Sequence, residues 1–447
     1  MEAKGKSGLV LAALGFTALV WLMSLAYGFQ YLVAESSRLL YFRAATIPFA
    51  AIVAGLTWYA LARKNGDGGS ARFPWWLGLA TMSVSFALSC FFYSAKLAPL
   101  PWVAPVIALP VVAALCHHKW GYRGANRAFL AGAMALFVYL VLRVPHDSGG
   151  DMLQIIEFAS RDMLAGENPF RPYSTVSGKD VPFGYWPGTW LPYLPLVALG
   201  IDVRIVNLLA VVALALLFGK ASDDPHAPDV LALTFYPFIL SSPALQMVLH
   251  GHLWVYWLSV CATLLLVARE RYLAAAVLFG FCLASRPTAL FLAGPIAAYV
   301  WTRTGPRWVL VSAAIAVAVA LAINAPFALV YGPDFWNNSY GRLVGFGQEL
   351  VHFSLAGYLI DAGLSPLIKP LQVVVMLLAI GGMLFKKSVS RPRFVMLTGT
   401  AFVWMILLNS YATRYVYFPG FLLMALGLVL AYSGTSASAG GGRQTCP

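Results

Sequence analysis

The stretch "HDSGGDMLQIIEFASRDMLAGENPFRPY", residues 146 to 173, decides how the rest of the chain is read. It lies between long apolar runs, yet it carries Asp147, Asp151, Glu157, Asp162 and Glu167 out of only 17 acidic residues in the chain. Met152, Ile155, Ile156, Ala159 and Met163 recur at helical spacing, and Gln154, Glu157 and Arg161 mark the opposite face. That pattern predicts an amphipathic helix lying in a membrane interface. Gly166 and Pro169 end it. Asp151 opens it, behind Gly149 and Gly150. The run Ser148 to Asp151 fits a helix-capping pattern, where a carboxylate is worth about 0.3–1 kcal/mol. The same carboxylate, fixed on a helix and reached through glycines, also suits a general base at a membrane surface. The residues alone leave both readings open. Asp147 faces the same choice with weaker placement.

The surroundings of this stretch set the class. The chain of 447 residues is 60% hydrophobic and 11% charged, against roughly 25% charged in a soluble domain. That predicts an all-α polytopic membrane protein. Apolar runs of spanning length fall at about 9–28, 45–62, 74–95, 99–116, 128–145, 203–219, 230–249, 252–268, 272–285, 288–302, 308–330, 367–385, 394–411 and 415–432, about 14 spans in all. The pair 272–285 and 288–302 is short and divided by Ser285, Arg286 and Pro287; as a single helix it would move every later loop to the other side. The first run follows Lys4 and Lys6, is too long for the apolar part of a signal peptide and lacks a cleavage site, so it reads as the first membrane helix.

Charge orients the map. With the N-terminus in the cytoplasm, most of the 30 basic residues fall in short inner loops, among them Arg63, Lys64, Lys119, Arg123, Arg269, Arg271, Arg303, Arg307, Lys386 and Lys387. Most acidic residues fall outside. This follows the positive-inside rule and places both termini in the cytoplasm. The net charge of +13 then matches a surface facing anionic lipid and requires no nucleic acid. The long outer segments, about 146–202 and 331–366, are where chemistry is expected. The stretch "FGYWPGTWLPYLPLVALG", residues 183 to 200, contains Pro187, Pro192 and Pro195, which a spanning helix tolerates poorly. It reads as an interfacial or re-entrant segment with its Trp and Tyr side chains at headgroup depth. The tail from 433 to 447 is small and polar and reads as a disordered cytoplasmic end.

On this map the outer helix ends collect His250, Gly251 and His252, then Arg286, Glu349, His352, Asn409, Tyr411, Arg414 and Tyr415. A lone His or Arg at a helix end is commonly an interfacial anchor. Arg286 differs: it stands between two apolar runs without a charged neighbour and must find an anion, water or the headgroup zone. A phosphate suits its forked donors. His250 and His252 are two residues apart, which is not a helical zinc pair, and no cofactor is expected; a divalent cation stays open but is not favoured. The five cysteines show no ligand spacing and read as buried apolar residues. Asn337 to Ser339 matches a glycosylation sequon.

An acidic residue just past a membrane helix, then an interfacial helix ending in a G-x-N-P-[FY] turn, resembles the first outer loop of the GT-C glycosyltransferases. Among these it is most similar to the polyprenyl-phosphate-mannose-dependent mannosyltransferases of family 87. The matching residues are Asp151, Ala159, Leu164, Gly166, Asn168, Pro169 and Phe170. The resemblance covers about 128–432 as the catalytic core and leaves 1–127 as an N-terminal four-helix extension. It implies a GT-C-like helix bundle in the cell's inner (plasma) membrane, with its active site on the outer face. It further implies a polyprenyl-phosphate-linked sugar as donor and a glycan, lipid or protein as acceptor. Asp151, or Asp147, would be the catalytic base. Arg286, with Arg414 and His352, would bind the donor phosphate. His250, His252, Glu349, Tyr411, Tyr185 and Trp186 would bind substrate. The rival reading is a lipid-linked-sugar flippase or another membrane transporter. Ion-coupled transporters commonly carry carboxylates mid-membrane, and none of the runs above has an Asp or Glu at its middle. A non-catalytic scaffold is the third reading.

Overall fold

The structure is a computed structural model that describes residues 2–29, 35–62, 74–97, 103–145, 151–175, 180–222, 227–341, 354–385, 389–409 and 414–433. In chain order the helices are α1 (Glu2–Phe29), α2 (Glu35–Ala62), α3 (Trp75–Leu97), α4 (Val103–Arg143), α5 (Asp151–Leu164), α6 (Pro187–Trp190), α7 (Leu194–Ala198), α8 (Arg204–Gly219), α9 (Ala227–Leu233), α10 (Phe235–Ile239) and α11 (Ser242–Leu249). They continue with α12 (Trp254–Ala268), α13 (Tyr272–Ser285), α14 (Leu290–Thr304), α15 (Pro306–Trp336), α16 (Leu355–Asp361), α17 (Ile368–Leu384), α18 (Arg391–Leu407) and α19 (Phe418–Ser433). The described sheet is one antiparallel hairpin, β1 (Pro172–Ser174) with β2 (Asp180–Pro182).

Apart from that hairpin the chain is helical, and it is a multi-pass membrane protein. Among the described residues six helices are long and apolar enough to cross a bilayer, or seven if the broken pair around Leu240 and Ser241, bent by 55°, is one span. The segments 203–219, 252–268 and 272–285 form helices of only 16, 15 and 14 residues, whereas 74–95 lies in α3, 23 residues long. The two runs flanking Ser285 to Pro287 are separate helices. Arg286 is extended (φ −154°, ψ 139°), and Pro287–Ala289 form a 3-10 turn. Proline cannot continue the backbone ladder of α13, so the helix stops there.

Contacts divide the chain into two compact units, residues 1–133 with 215–244 and 352–447, and residues 134–214 with 245–351. In the first unit, α4 is helical through 117–127, where the sequence predicts a loop. It nonetheless reverses at Gly121 (φ +62°). A Cβ built on Gly132 would lie 2.6 Å from Leu109, whereas a straight helix would separate those residues by about 35 Å. Helices α18 and α19 approach through small residues. A Cβ on Gly399 would meet the Met424 nitrogen at 2.8 Å, and one on Gly427 the Met396 nitrogen at 2.9 Å. Close backbone approach of this kind is how helices associate in lipid, where apolar burial drives nothing.

In the second unit, α5 is the amphipathic helix the sequence predicts. Leu153, Ile155, Ile156 and Ala159 are buried against Phe170, Tyr173, Phe183, Trp190 and Tyr193. Arg161 pairs with Glu157 on the outer face. Gly166 ends the helix at φ +77°. Helix α15 turns most of its surface outward, with Leu310, Leu321 and Leu329 exposed. In water such a surface would aggregate; hydrocarbon solvates it. Helices α13 and α15 cross at Gly280, where an added Cβ would lie 2.6 Å from the Ala316 carbonyl oxygen.

Candidate functional site

The site grows from the proline-rich segment. Its Trp186, Trp190 and Tyr193 are buried inside the second unit. The prolines break the segment into α6, a 3-10 turn and α7, and these short pieces fold into the core. Gly188 makes this possible. A Cβ there would strike Ser285 Oγ at 2.6 Å and the Ala284 carbonyl group at 2.9 Å. Thr189 Oγ1 donates to the Ser285 carbonyl at 2.5 Å. The segment is thus clamped onto the last turn of α13, next to Arg286.

A second clamp holds the turn His250–Leu253 between α11 and α12. Asn207 of α8 donates through Nδ2 to the carbonyls of Val248, at 2.9 Å, and Gly251, at 2.8 Å. Its Oδ1 accepts from Tyr193 Oη at 2.7 Å. One fully buried amide therefore ties the proline-rich segment to the His250–His252 turn. Gly251 has no room for a side chain, because a Cβ would meet the Met247 sulfur at 2.7 Å.

The two clamps bring three of the candidate residues together. The rings of Tyr185 and His252 lie 4.2 Å apart, centroid to centroid. His252 is 1% exposed, and neither of its ring nitrogens has a hydrogen-bond partner among the described residues. Burial, and then the charge of Arg286, hold its pKa well below the ordinary 6.5, so the imidazole is neutral. Arg286 is half-buried, and its guanidinium makes no ion pair with any described residue. Tyr256 Oη and Thr288 Oγ1, 3.3 Å apart, join α12 to the 3-10 turn behind Arg286. A neutral, unsatisfied imidazole beside an unpaired guanidinium is a corner short of an anion with acceptor oxygens.

The turn Gly166–Phe170 has a structural role. Asn168 Oδ1 accepts from the Phe170 amide at 2.9 Å, and its Nδ2 donates to Asp334 at 2.7 Å. Phe170 packs edge-on against Phe335, with centroids 5.1 Å apart. Asp162 holds the hairpin. Arg171 donates to its two oxygens at 2.6 and 2.8 Å, and Tyr173 Oη donates at 2.7 Å. Burial pushes the Asp162 pKa up, but these hydrogen bonds and the Arg171 charge outweigh it and hold the carboxyl below its ordinary range.

The remaining predicted residues stand as follows. Asp151 is the first residue of α5. Trp186 and His250 are buried, one residue from Tyr185 and two from His252. Arg414 opens a 3-10 turn in the first unit. Asp147, Glu349, His352 and Tyr411 lie outside the described residues. Asn207 and Thr189 were not singled out by the sequence reading. An asparagine in the apolar run of α8 was the available signal for the first; Thr189 offered none. Among the described residues no three His, Cys, Asp or Glu side chains gather to hold a metal ion. No known protein family, no curated protein and no solved structure matches the chain.

Proposed function

We propose that the protein is a membrane glycosyltransferase that moves a sugar from a polyprenyl-phosphate donor to a glycan, lipid or protein acceptor at the outer face. The observation that carries this reading is the corner formed by Tyr185, His252 and Arg286. Arg286 binds the phosphate of the lipid donor and stabilises the charge that develops on it as it leaves. His252 is neutral, and through a ring N–H it donates to a phosphate oxygen. Tyr185 and Trp186 flank the sugar. Asp151, at the start of α5, accepts the proton of the acceptor hydroxyl while that oxygen attacks the anomeric carbon. The new glycosidic C–O bond forms as the bond to the phosphate oxygen breaks, with inversion, and the lipid phosphate departs. The sugar is mannose on the strength of the resemblance.

The test uses purified protein in lipid, a set of radiolabelled polyprenyl-phosphate sugars, and a membrane extract as acceptor. Wild type transfers label. Asp151→Asn, folded by circular dichroism and gel filtration, loses the base and with it about 10²–10⁴-fold in rate. Transfer that survives in Asp151→Asn assigns the base elsewhere, with Asp147 first in line. Absence of transfer from every donor, with the intact protein moving labelled lipid across a vesicle bilayer, supports the flippase reading.

A further inference from the structure

The second unit contains a cavity whose lining includes none of the candidate-site residues above. It is partly open, about 140 Å³ in volume, and lies between α12, α13, α14 and α15. Its walls are almost wholly apolar, with Val267, Ala276, Phe279, Ile296, Ala297 and Ala313 among them. The lining comes from the last two turns of α12, the first half of α13, most of the length of α14 from Ala293 to Val300, and the first turns of α15. The cavity therefore runs from near the α12–α13 and α14–α15 turns toward the middle of these helices. Antiparallel packing of α13 on α14 is required for Tyr272 and Val300 to share it.

Arg269 and Arg271, with Glu270 between them, stand at the first of those turns, and Arg303 and Arg307 flank the second; the four arginines are exposed. The two turns are adjacent: the ring of Tyr272, next to Arg271, lies 6.4 Å from the ring of Trp308, next to Arg307. Trp301 and Trp308 are also exposed, as rings at a membrane–water boundary are. Neither Arg271 nor Arg307 has an ion-pair partner among the described residues. Just inside the rim, Ser312 lines the cavity, and its Oγ is buried and has no hydrogen-bond partner among the described residues.

Apolar walls ask for a hydrocarbon chain. A rim of arginines with exposed indoles asks for an anionic headgroup at the interface. We infer that this cavity is a binding site for an anionic phospholipid. One acyl chain enters between Ala276 and Ala297, its ester carbonyl accepts from Ser312, and its phosphate lies between Arg271 and Arg307. The lipid comes from the leaflet on the side of those turns, which the charge distribution assigns to the cytoplasm. The inference rests on the fold alone and stands whether or not the protein transfers sugar.

Native mass spectrometry of delipidated protein, titrated with phosphatidylglycerol or with phosphatidylcholine of the same chains, tests it. Phosphatidylglycerol is expected to be retained preferentially. Arg271→Gln and Arg307→Gln should each weaken its retention about fivefold, the equivalent of roughly 1 kcal/mol per basic residue. Ala276→Leu fills the cavity and should abolish retention while leaving the rim charge intact. Ala297→Leu fills it from the opposite wall and serves as the second variant, should the first fail to fold. Equal retention of the two lipids overturns the inference, as does undiminished retention in a folded cavity-filled variant. Displacement of phosphatidylglycerol by a short-chain polyprenyl phosphate at equal concentration also overturns it, since the cavity would then belong to a prenyl chain.

Discussion

Arg286 and His252 are unusual for what surrounds them. Arg286 is extended and lies between two helices because Pro287 bars α13 from continuing. His252 is buried beside Arg286, and a charged imidazole there would be poorly solvated and repelled by the guanidinium. Arg286→Gln removes the only charge of this corner and is expected to lower transfer by about 10²–10³-fold with the fold intact. Arg286→Lys restores the charge but not the planar fork, so it should recover only part of the loss. Radiolabel transfer by the two variants checks both points, and equal activity of Arg286→Gln and wild type would remove the phosphate role.

Asn207 supports that corner from behind. Replacing it with Leu, which is close in volume, leaves the carbonyls of Val248 and Gly251 and the hydroxyl of Tyr193 without their partner. The expected cost is about 1–3 kcal/mol, seen as a lowered unfolding midpoint in detergent. A midpoint equal to wild type would show that water replaces the amide. The sequence made Arg286 conspicuous, because an arginine between apolar runs is conspicuous by itself. It did not reveal the partners of Asn207, which are 14 and about 40 residues away.

At the scale of elements, α5 and its hairpin depend on Asp162. Its folded pKa lies below the ordinary 3.8. Its contribution to stability is therefore complete above that value and disappears as the pH falls through the depressed folded value. Unfolding of wild type, followed by α5 proteolysis, should accelerate as acid protonates Asp162, and Asp162→Asn should flatten that part of the profile. A profile that keeps its acid limb in the variant would move the titration to another carboxylate. The helix–helix contacts give a sharper contrast. Gly188→Ala places a methyl against the backbone of Ala284 and should loosen the proline-rich segment and lower transfer. Gly219→Ala meets nothing within 4 Å and should be neutral or slightly stabilising, since alanine favours the helix. The amphipathic period of α5 was legible because each turn repeats the signal locally. The packing of residues 183–200 was not: the prolines showed where no long helix can form, but not that the broken chain packs on α13.

For the whole molecule, composition decides the solvent. Exposed leucines on α15 and α17 are stable only against hydrocarbon. The charge distribution further predicts that Arg269 and Asp180 lie on opposite sides of the membrane. With the native cysteines replaced, Asp180→Cys should react with a membrane-impermeant maleimide in intact cells. Arg269→Cys should react only after permeabilisation. The reverse pattern would invert the topology and move the corner of Tyr185, His252 and Arg286 to the cytoplasmic side.

By itself the sequence determined that this chain is helical and membrane-embedded and where α5 begins and ends, and it marked Ser285 to Pro287 as the place where α13 could stop. Each of these follows from hydropathy, period and proline geometry, which act over one or two helical turns. Tertiary structure alone decided that the connection 117–127 stays helical on both sides of the reversal at Gly121, that residues 183–200 pack on α13, and that Tyr185 meets His252. These outcomes depend on close approach between residues far apart in the chain, where the absence of a single Cβ at Gly188 or Gly251, or one buried amide at Asn207, selects the packing that forms.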